Sequence, residues 1–178
     1  MRTWFTADTR FGLDRMIGEG KRPFASVALM DAALIRNWNE TVEEDDEVWH
    51  LGDFGSEASA DYLRWVFAAL KGRKRLVQGN WDEAFPQTLA LPWTAPPEKF
   101  LSLQVGGAEA FLCHYPMLEW PRRREGAIHL HGHAHGHPSG DAACTDVGVD
   151  AWDFRPIALA AIRERMAARP APVGRLAA

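Results

Sequence analysis

Cysteine is scarce in this chain: Cys113 and Cys144 are the only two in 178 residues, they lie far apart and no CxxC spacing occurs. That argues against a disulfide framework or a thiolate zinc site and leaves two buried thiols as the expectation. No apolar run approaches the roughly 20 residues that cross a bilayer, and Met1-Arg2-Thr3-Trp4 runs into Asp8 and Arg10 too soon for a signal sequence. A cytoplasmic protein without a membrane partner is expected. An excess of positive charge is missing as well. With 20 Lys and Arg against 24 Asp and Glu the net charge is −4, so non-specific nucleic-acid binding is not expected and an anionic ligand has to be caught locally. There is no internal repeat.

What is present reads as globular, with 47% hydrophobic and 25% charged residues, close to ordinary usage. The length suits one domain, expected over residues 1–168, followed by a flexible tail at 169–178 rich in Ala, Pro, Gly and Arg. Thr3 to Thr6, a helical pattern from Ser26 to Trp38, and Glu47 to Leu51 form a β-α-β opening. A second helix is expected from Ala58 to Leu70, then a strand over Lys74 to Val77. Beyond the prolines at 92, 96 and 97 the pattern predicts hairpin-like strands at Phe100–Val105, Glu109–Cys113 and Ala127–Leu130, with Gly106-Gly107 as a turn, and a last helix from Ala158 to Ala168. An α/β first half and an all-β second half point to two sheets packed together and covered by helices.

Polar clusters recur where these strands end: Asp8-Thr9-Arg10, Gly52-Asp53, Gly79-Asn80-Trp81-Asp82, His114 and Gly132-His133-Ala134-His135. Ligand sites in α/β sheets lie at the carboxyl ends of strands, so these clusters can meet. Carboxylate, amide and imidazole together suit manganese, iron or zinc better than magnesium. The densest signal is the run from His129 to His137, five histidines at strict alternation, which a strand would send to one face. Metal binding is the favoured reading; His129 also fits an ordinary core position and His137 an exposed one. Taken singly, Asp8, Gly52-Asp53 and Asn80 are common turn residues.

In order and context the five clusters resemble the blocks D-x-H, G-D, G-N-H-D, H and G-H-x-H of the calcineurin-like metallophosphoesterase superfamily. The likeness includes Trp4 to Thr9, Phe24 to Asn39, Val48 to Phe54, Leu112 to Met117 and Val147 to Asp150, and points to a small bacterial and phage-type branch. It implies a four-layer α-β-β-α sandwich of two mixed sheets, as in metallo-dependent phosphatases. It also implies a two-metal centre, with Asp8, Asp53 and His135 on the first ion and Asp53, Asn80, His114 and His133 on the second. Two family histidines are replaced. Arg10 stands in D-x-H, and guanidinium has no lone pair for a metal. Trp81 stands in G-N-H-D, where indole cannot relay a proton. Leu13 stands where relatives often carry a third histidine.

The expected function is therefore a divergent phosphoesterase that cleaves a phosphate monoester or diester by metal-bound hydroxide, with one tightly held divalent transition ion favoured over two. Its expected substrate is a phosphorylated small molecule or nucleotide with a good leaving group. The alternative is a catalytically impaired relative that binds a phospho-ligand or a protein. Asp53, Asn80 and Arg10 are the expected catalytic residues, Arg10 as counter-ion or phosphate contact. Arg10, Asn80, Arg122 and Arg123 are the candidate substrate contacts, and His50 or His137 could replace the missing acid.

Overall fold

The computed structural model describes residues 1–18, 22–137 and 142–169; the expected tail beyond Arg169 lies outside them. In chain order the elements are β1 (Thr3–Thr6), α1 (Arg15–Gly18), α2 (Val27–Thr41), β2 (Glu47–His50), α3 (Ala60–Ala69), β3 (Arg73–Leu76) and α4 (Asn80–Ala84), then β4 (Phe100–Val105), β5 (Ala108–Cys113), β6 (Ile128–His131), β7 (Cys144–Asp146), β8 (Ile157–Ala158) and α5 (Leu159–Ala167). Short 3-10 turns occupy Arg123–Glu125 and Val149–Ala151.

The two mixed sheets expected from the sequence are there. One has the order β3-β2-β1-β8 and the other β4-β5-β6-β7. β1, β2 and β3 run parallel and β8 antiparallel to β1. In the second sheet β4 and β5 are a hairpin closed by Gly106 and Gly107, whose positive φ angles of 54° and 73° a two-residue turn requires. β6, however, runs parallel to β5 and β7 parallel to β6. The hairpin-like reading of the second half is thus corrected at its third strand: the 14 residues from His114 to Ala127 form a crossover, which apolar alternation alone cannot tell from a hairpin. α1, α4, β7 and β8 are two to five residues long, too short for a periodic signal.

Burial follows the patterning. α2 turns Met30, Leu34 and Trp38 inward, with Ser26 capping Leu29 N at 3.3 Å. α3 buries Leu63, Val66 and Phe67 and is capped by Ser59. These faces meet Val48 on the outside of the first sheet, while Phe5, Leu51, Leu112 and Leu130 fill the space between the sheets. The far face of the second sheet carries Phe111, Cys113 and Cys144 under Trp120 and Ala127. Both cysteines are buried thiols outside any disulfide. Trp120 Nε1 donates to Ala127 O at 2.8 Å and pins this covering segment.

Asp46 ties the start of β1 to the turn before β2. Its carboxylate accepts Arg2 N at 2.6 Å, Trp4 Nε1 at 2.8 Å and Glu43 N at 3.2 Å. Burial works against ionisation, but the Trp4, Arg2 and Glu43 donors outweigh it and hold the carboxyl below its ordinary 3.8. A depressed folded pKa means that the contribution is complete above the unfolded value and disappears as pH falls below it. Asp46→Ala is expected to cost about 1–3 kcal/mol at pH 7, and the gap to the parent in urea unfolding is expected to narrow below pH ~4. A gap that stays constant from pH 7 to pH 3 would contradict this account.

Candidate metal and phosphate site

Every expected ligand leaves the carboxyl end of a strand. Asp8 and Arg10 follow β1, Asp53 follows β2, Asn80 opens α4 after β3, His114 follows β5, and His133 and His135 follow β6. Hydrogen bonds from the loops of one sheet to those of the other, such as His133 N to Asp8 Oδ2 and His114 Nδ1 to Leu51 O, both at 2.8 Å, bring the two sheets' loops together. The backbone is tightly turned: Asp8, Arg10, Asp53, His133 and His135 all have φ between 48° and 67°. A left-handed conformation at five non-glycine residues is costly and persists only where the surroundings over-determine it. Gly79 is required by proximity, since a Cβ there would lie 2.3 Å from Asp53 Oδ1.

Four of the ligand candidates converge. His114 Nδ1–H donates to Leu51 O at 2.8 Å, which directs Nε2 into the site. Around that nitrogen stand Asp53 Oδ2 at 3.3 Å, Asn80 Oδ1 at 3.2 Å and His133 Nδ1 at 3.2 Å. The ligand atoms of Asp53, His114 and His133 all lie within 4.8 Å of one another. Burial depresses the basicity of His114, yet the carboxylates of Asp53 and Asp8 push it up to about 9. Crowded lone pairs that draw a positive charge against desolvation are what a cation site needs, so this set fits one divalent ion.

The first expected ion does not fit beside the residues present. Arg10 Nη2 stands 2.6 Å from Asp53 Oδ2 and 3.9 Å from Asp8 Oδ1, where a second cation would share the Asp53 carboxylate. Asp8 Oδ2 accepts His133 N at 2.8 Å, while its Oδ1 is buried without a hydrogen bond. Burial pushes the Asp8 carboxyl up to about 6. His135 is drawn elsewhere: its Nδ1–H donates to Asp150 Oδ2 at 2.7 Å and its Nε2 lies 3.9 Å from Asp8 Oδ1.

Three supporting residues were not among the sequence candidates. Arg22 is buried and forks onto Asp150 at 2.7 and 2.9 Å, with further bonds to Asp8 O and Thr9 O. Burial would raise the Asp150 carboxyl, but His135 and Arg22 hold it down at about 2. Asp82 accepts Asp53 N, Phe54 N and Gly79 N at 2.7, 3.1 and 2.8 Å. Asp82 and Asp150 stand within the matching sequence blocks, whereas nothing in the sequence around Arg22 marks it.

Other expectations fall away from the site. Arg122 pairs with Glu109 and Glu125, and Arg123 with Glu119 while lying over Trp120. Both sit on the crossover and neither lines the cavity over the ligands. The alternating histidines divide, because β6 ends at His131: His129 sits between Phe111 O and Tyr115 O on the far face, and His131 Nδ1 bonds Gly132 O. His50 is fully buried, Thr9 Oγ1 lies 2.9 Å from its Nε2, and burial lowers it to about 3; it cannot reach a substrate. His137 does line the cavity.

That cavity, of about 570 Å3, reaches the ligand cluster at His133 and is lined by the polar Arg10, His135 and Asp150, by Trp81, and by the apolar Leu13, Met16 and Phe154. Arg10 lies over the Trp81 indole at 4.7 Å, within cation–π range.

The fold and this cluster define a phosphoesterase-like protein. Residues 30–147 match the calcineurin-like phosphoesterase superfamily domain, and the chain belongs to that superfamily. It is similar to the gene 66 protein of Mycobacterium phage D29, at 31% identity over 84% of this chain and 88% of that protein. An uncharacterized protein of Methanocaldococcus jannaschii is 27% identical over 89% of this chain and 87% of its own length. A protein of unknown function from Aquifex aeolicus has the same fold, with a TM-score of 0.71 at 23% identity over 92% of this chain and 98% of that one.

Proposed function

We propose that the protein hydrolyses a phosphate ester of a small molecule or nucleotide with one tightly held divalent transition ion, manganese, iron or zinc, and with Arg10 in place of the superfamily's other ion. The observation that carries this reading is the sharing of Asp53 Oδ2 between Arg10, at 2.6 Å, and the His114 cluster, at 3.3 Å. Asp53, Asn80, His114 and His133 would hold the ion. Bound there, it supplies Lewis acidity toward a phosphoryl oxygen and toward water.

The chain's own residues do the rest. Arg10 keeps the Asp53 and Asp8 carboxylates from facing each other unpaired in a buried site, where an uncompensated charge is costly. Its remaining donors can bind a phosphoryl oxygen. Trp81 N donates to Asp53 Oδ1 at 2.8 Å and orients the carboxylate. His135, held by Asp150, presents Nε2 to the cavity as a second contact for the phosphoryl group. Four converging ligand side chains favour hydrolysis over a purely binding role.

Elemental analysis of protein purified without a histidine tag is expected to give one manganese, iron or zinc per chain, and one anomalous-scattering peak beside His114. His114→Ala is expected to lose it. Two tightly held ions, the second beside Asp8, would overturn the role given to Arg10, and no ion after supplementation would overturn the metal reading.

A further inference from the structure

The cavity is far larger than a single phosphate needs and falls within the roughly 300–1,000 Å3 of pockets that hold whole small molecules. A second guanidinium stands in it. Arg15, on α1, lies 5.1 Å from the centroid of the Trp81 ring that Arg10 also faces. The indole is itself stacked on Phe85, with centroids 5.4 Å apart and planes 19° apart, so it forms a stiff plate behind both cations. Arg10 is committed to Asp53, whereas Arg15 makes no ion pair among the described residues. The cavity therefore holds, beside Trp81, a positive charge with no carboxylate partner among the described residues, at the position from which a leaving group would depart.

That position lacks the superfamily's acid, because Trp81 stands in place of its histidine. An alkoxide leaves poorly without one. A phosphate leaves well, since its last ionisation lies near pH 6 and its charge is spread over several oxygens.

From these observations, and resting on the function proposed above, we infer that Arg15 and Trp81 form a subsite for a second phosphate and that the preferred substrate is a phosphoanhydride. Water oxygen forms a bond to the terminal phosphorus, and the bridging P–O bond breaks. Its electron pair passes to the departing phosphate, which leaves as an anion facing Arg15, and a proton from the attacking water is released. The apolar wall of Leu13, Met16 and Phe154 would take an organic group on that phosphate.

The test compares pyrophosphate, adenosine diphosphate, 4-nitrophenyl phosphate and an alkyl phosphate on metal-loaded parent, Arg15→Met and Arg15→Lys proteins. Calorimetric binding of methylenediphosphonate and inorganic phosphate, with and without metal, is run beside it. Both anhydrides are expected to exceed the alkyl ester by about 100-fold or more in kcat/KM. Arg15→Met is expected to lower anhydride kcat/KM and methylenediphosphonate affinity by about tenfold or more, and 4-nitrophenyl phosphate hydrolysis by a several-fold smaller factor, since its leaving group carries less charge. Arg15→Lys should recover part of both losses. A preference for adenosine diphosphate over pyrophosphate would place the organic group on the apolar wall, and equal rates would place recognition in the anhydride itself; either supports the subsite. Hydrolysis of the aryl ester with anhydrides no better than the alkyl ester would overturn the inference and leave the phosphoesterase reading standing. So would an equal effect of Arg15→Met on every substrate. If no ester or anhydride is cleaved, the phosphoesterase reading fails, and binding decides the subsite: Arg15-dependent preference for methylenediphosphonate over phosphate sustains it, and equal binding overturns it.

Discussion

Replacing Arg10 and Trp81 by histidine in one protein is expected to raise aryl-phosphate turnover by about 10²–10⁴-fold, the range that a positioned acid contributes, and to bring in a second ion. The geometry explains why both changes are needed. Arg10 Nη2 stands 2.6 Å from the carboxylate oxygen that two ions would share, and Arg10 also faces the Trp81 ring at 4.7 Å. Arg10→His removes the cation and supplies a lone pair beside Asp8 and His135, but leaves the departing group unaided. Trp81→His supplies a proton donor while Arg10 still blocks the ion. The backbone bond from residue 81 N to Asp53 Oδ1, 2.8 Å long, does not depend on the side chain and should survive. Residues that act as a unit combine non-additively, so each single variant should gain much less than the pair. Metal content and turnover of the four proteins are the measurements. A folded double variant with two ions and parental turnover would show that the cavity has diverged beyond these positions.

Asp82→Ala is expected to lose roughly 3–5 kcal/mol of stability, because three buried N–H groups lose their acceptor together at about 1–3 kcal/mol each. Those groups belong to Asp53, Phe54 and Gly79, so the change also frees the loop that carries Asp53 and should weaken metal binding. Asp82→Asn keeps one acceptor oxygen and turns an amide against the remaining donors, so an intermediate cost is expected. Urea unfolding and metal titration report the two effects separately. An unchanged unfolding midpoint for Asp82→Ala would mean that water satisfies those donors and that Asp82 does not organise the loop.

Much of the site was legible because it is written at strand ends. Asp8, Asp53, Asn80, His114, His133 and His135 were all named by position; the structure draws Asp53, Asn80, His114 and His133 into one cluster, with Asp8 bonded to His133 N beside it and His135 held away by Asp150. The exceptions have particular causes. Arg122 and Arg123 looked like anion contacts because the crossover was read as a loop bordering the site, yet its path over the far face of the second sheet pairs them with Glu109, Glu125 and Glu119. His129 and His131 share the alternation of His133 and His135, but alternation directs side chains only while the strand continues, and β6 stops at His131. Arg22 escaped notice because its partner, Asp150, is 128 residues away.

By itself, then, the sequence determined the order of the longer elements, the two replaced histidines and the ligand types, since these depend on local periodicity, turn residues and the chemistry of single side chains. Tertiary structure decided which ligands meet and what Arg10 does there. Whether a guanidinium displaces an ion turns on its 2.6 Å separation from Asp53, and that distance is set jointly by loops from different strands. It also decided that Arg15 and Arg10 share one indole, because α1 and α4 are brought together only when both loops close over the same strand ends.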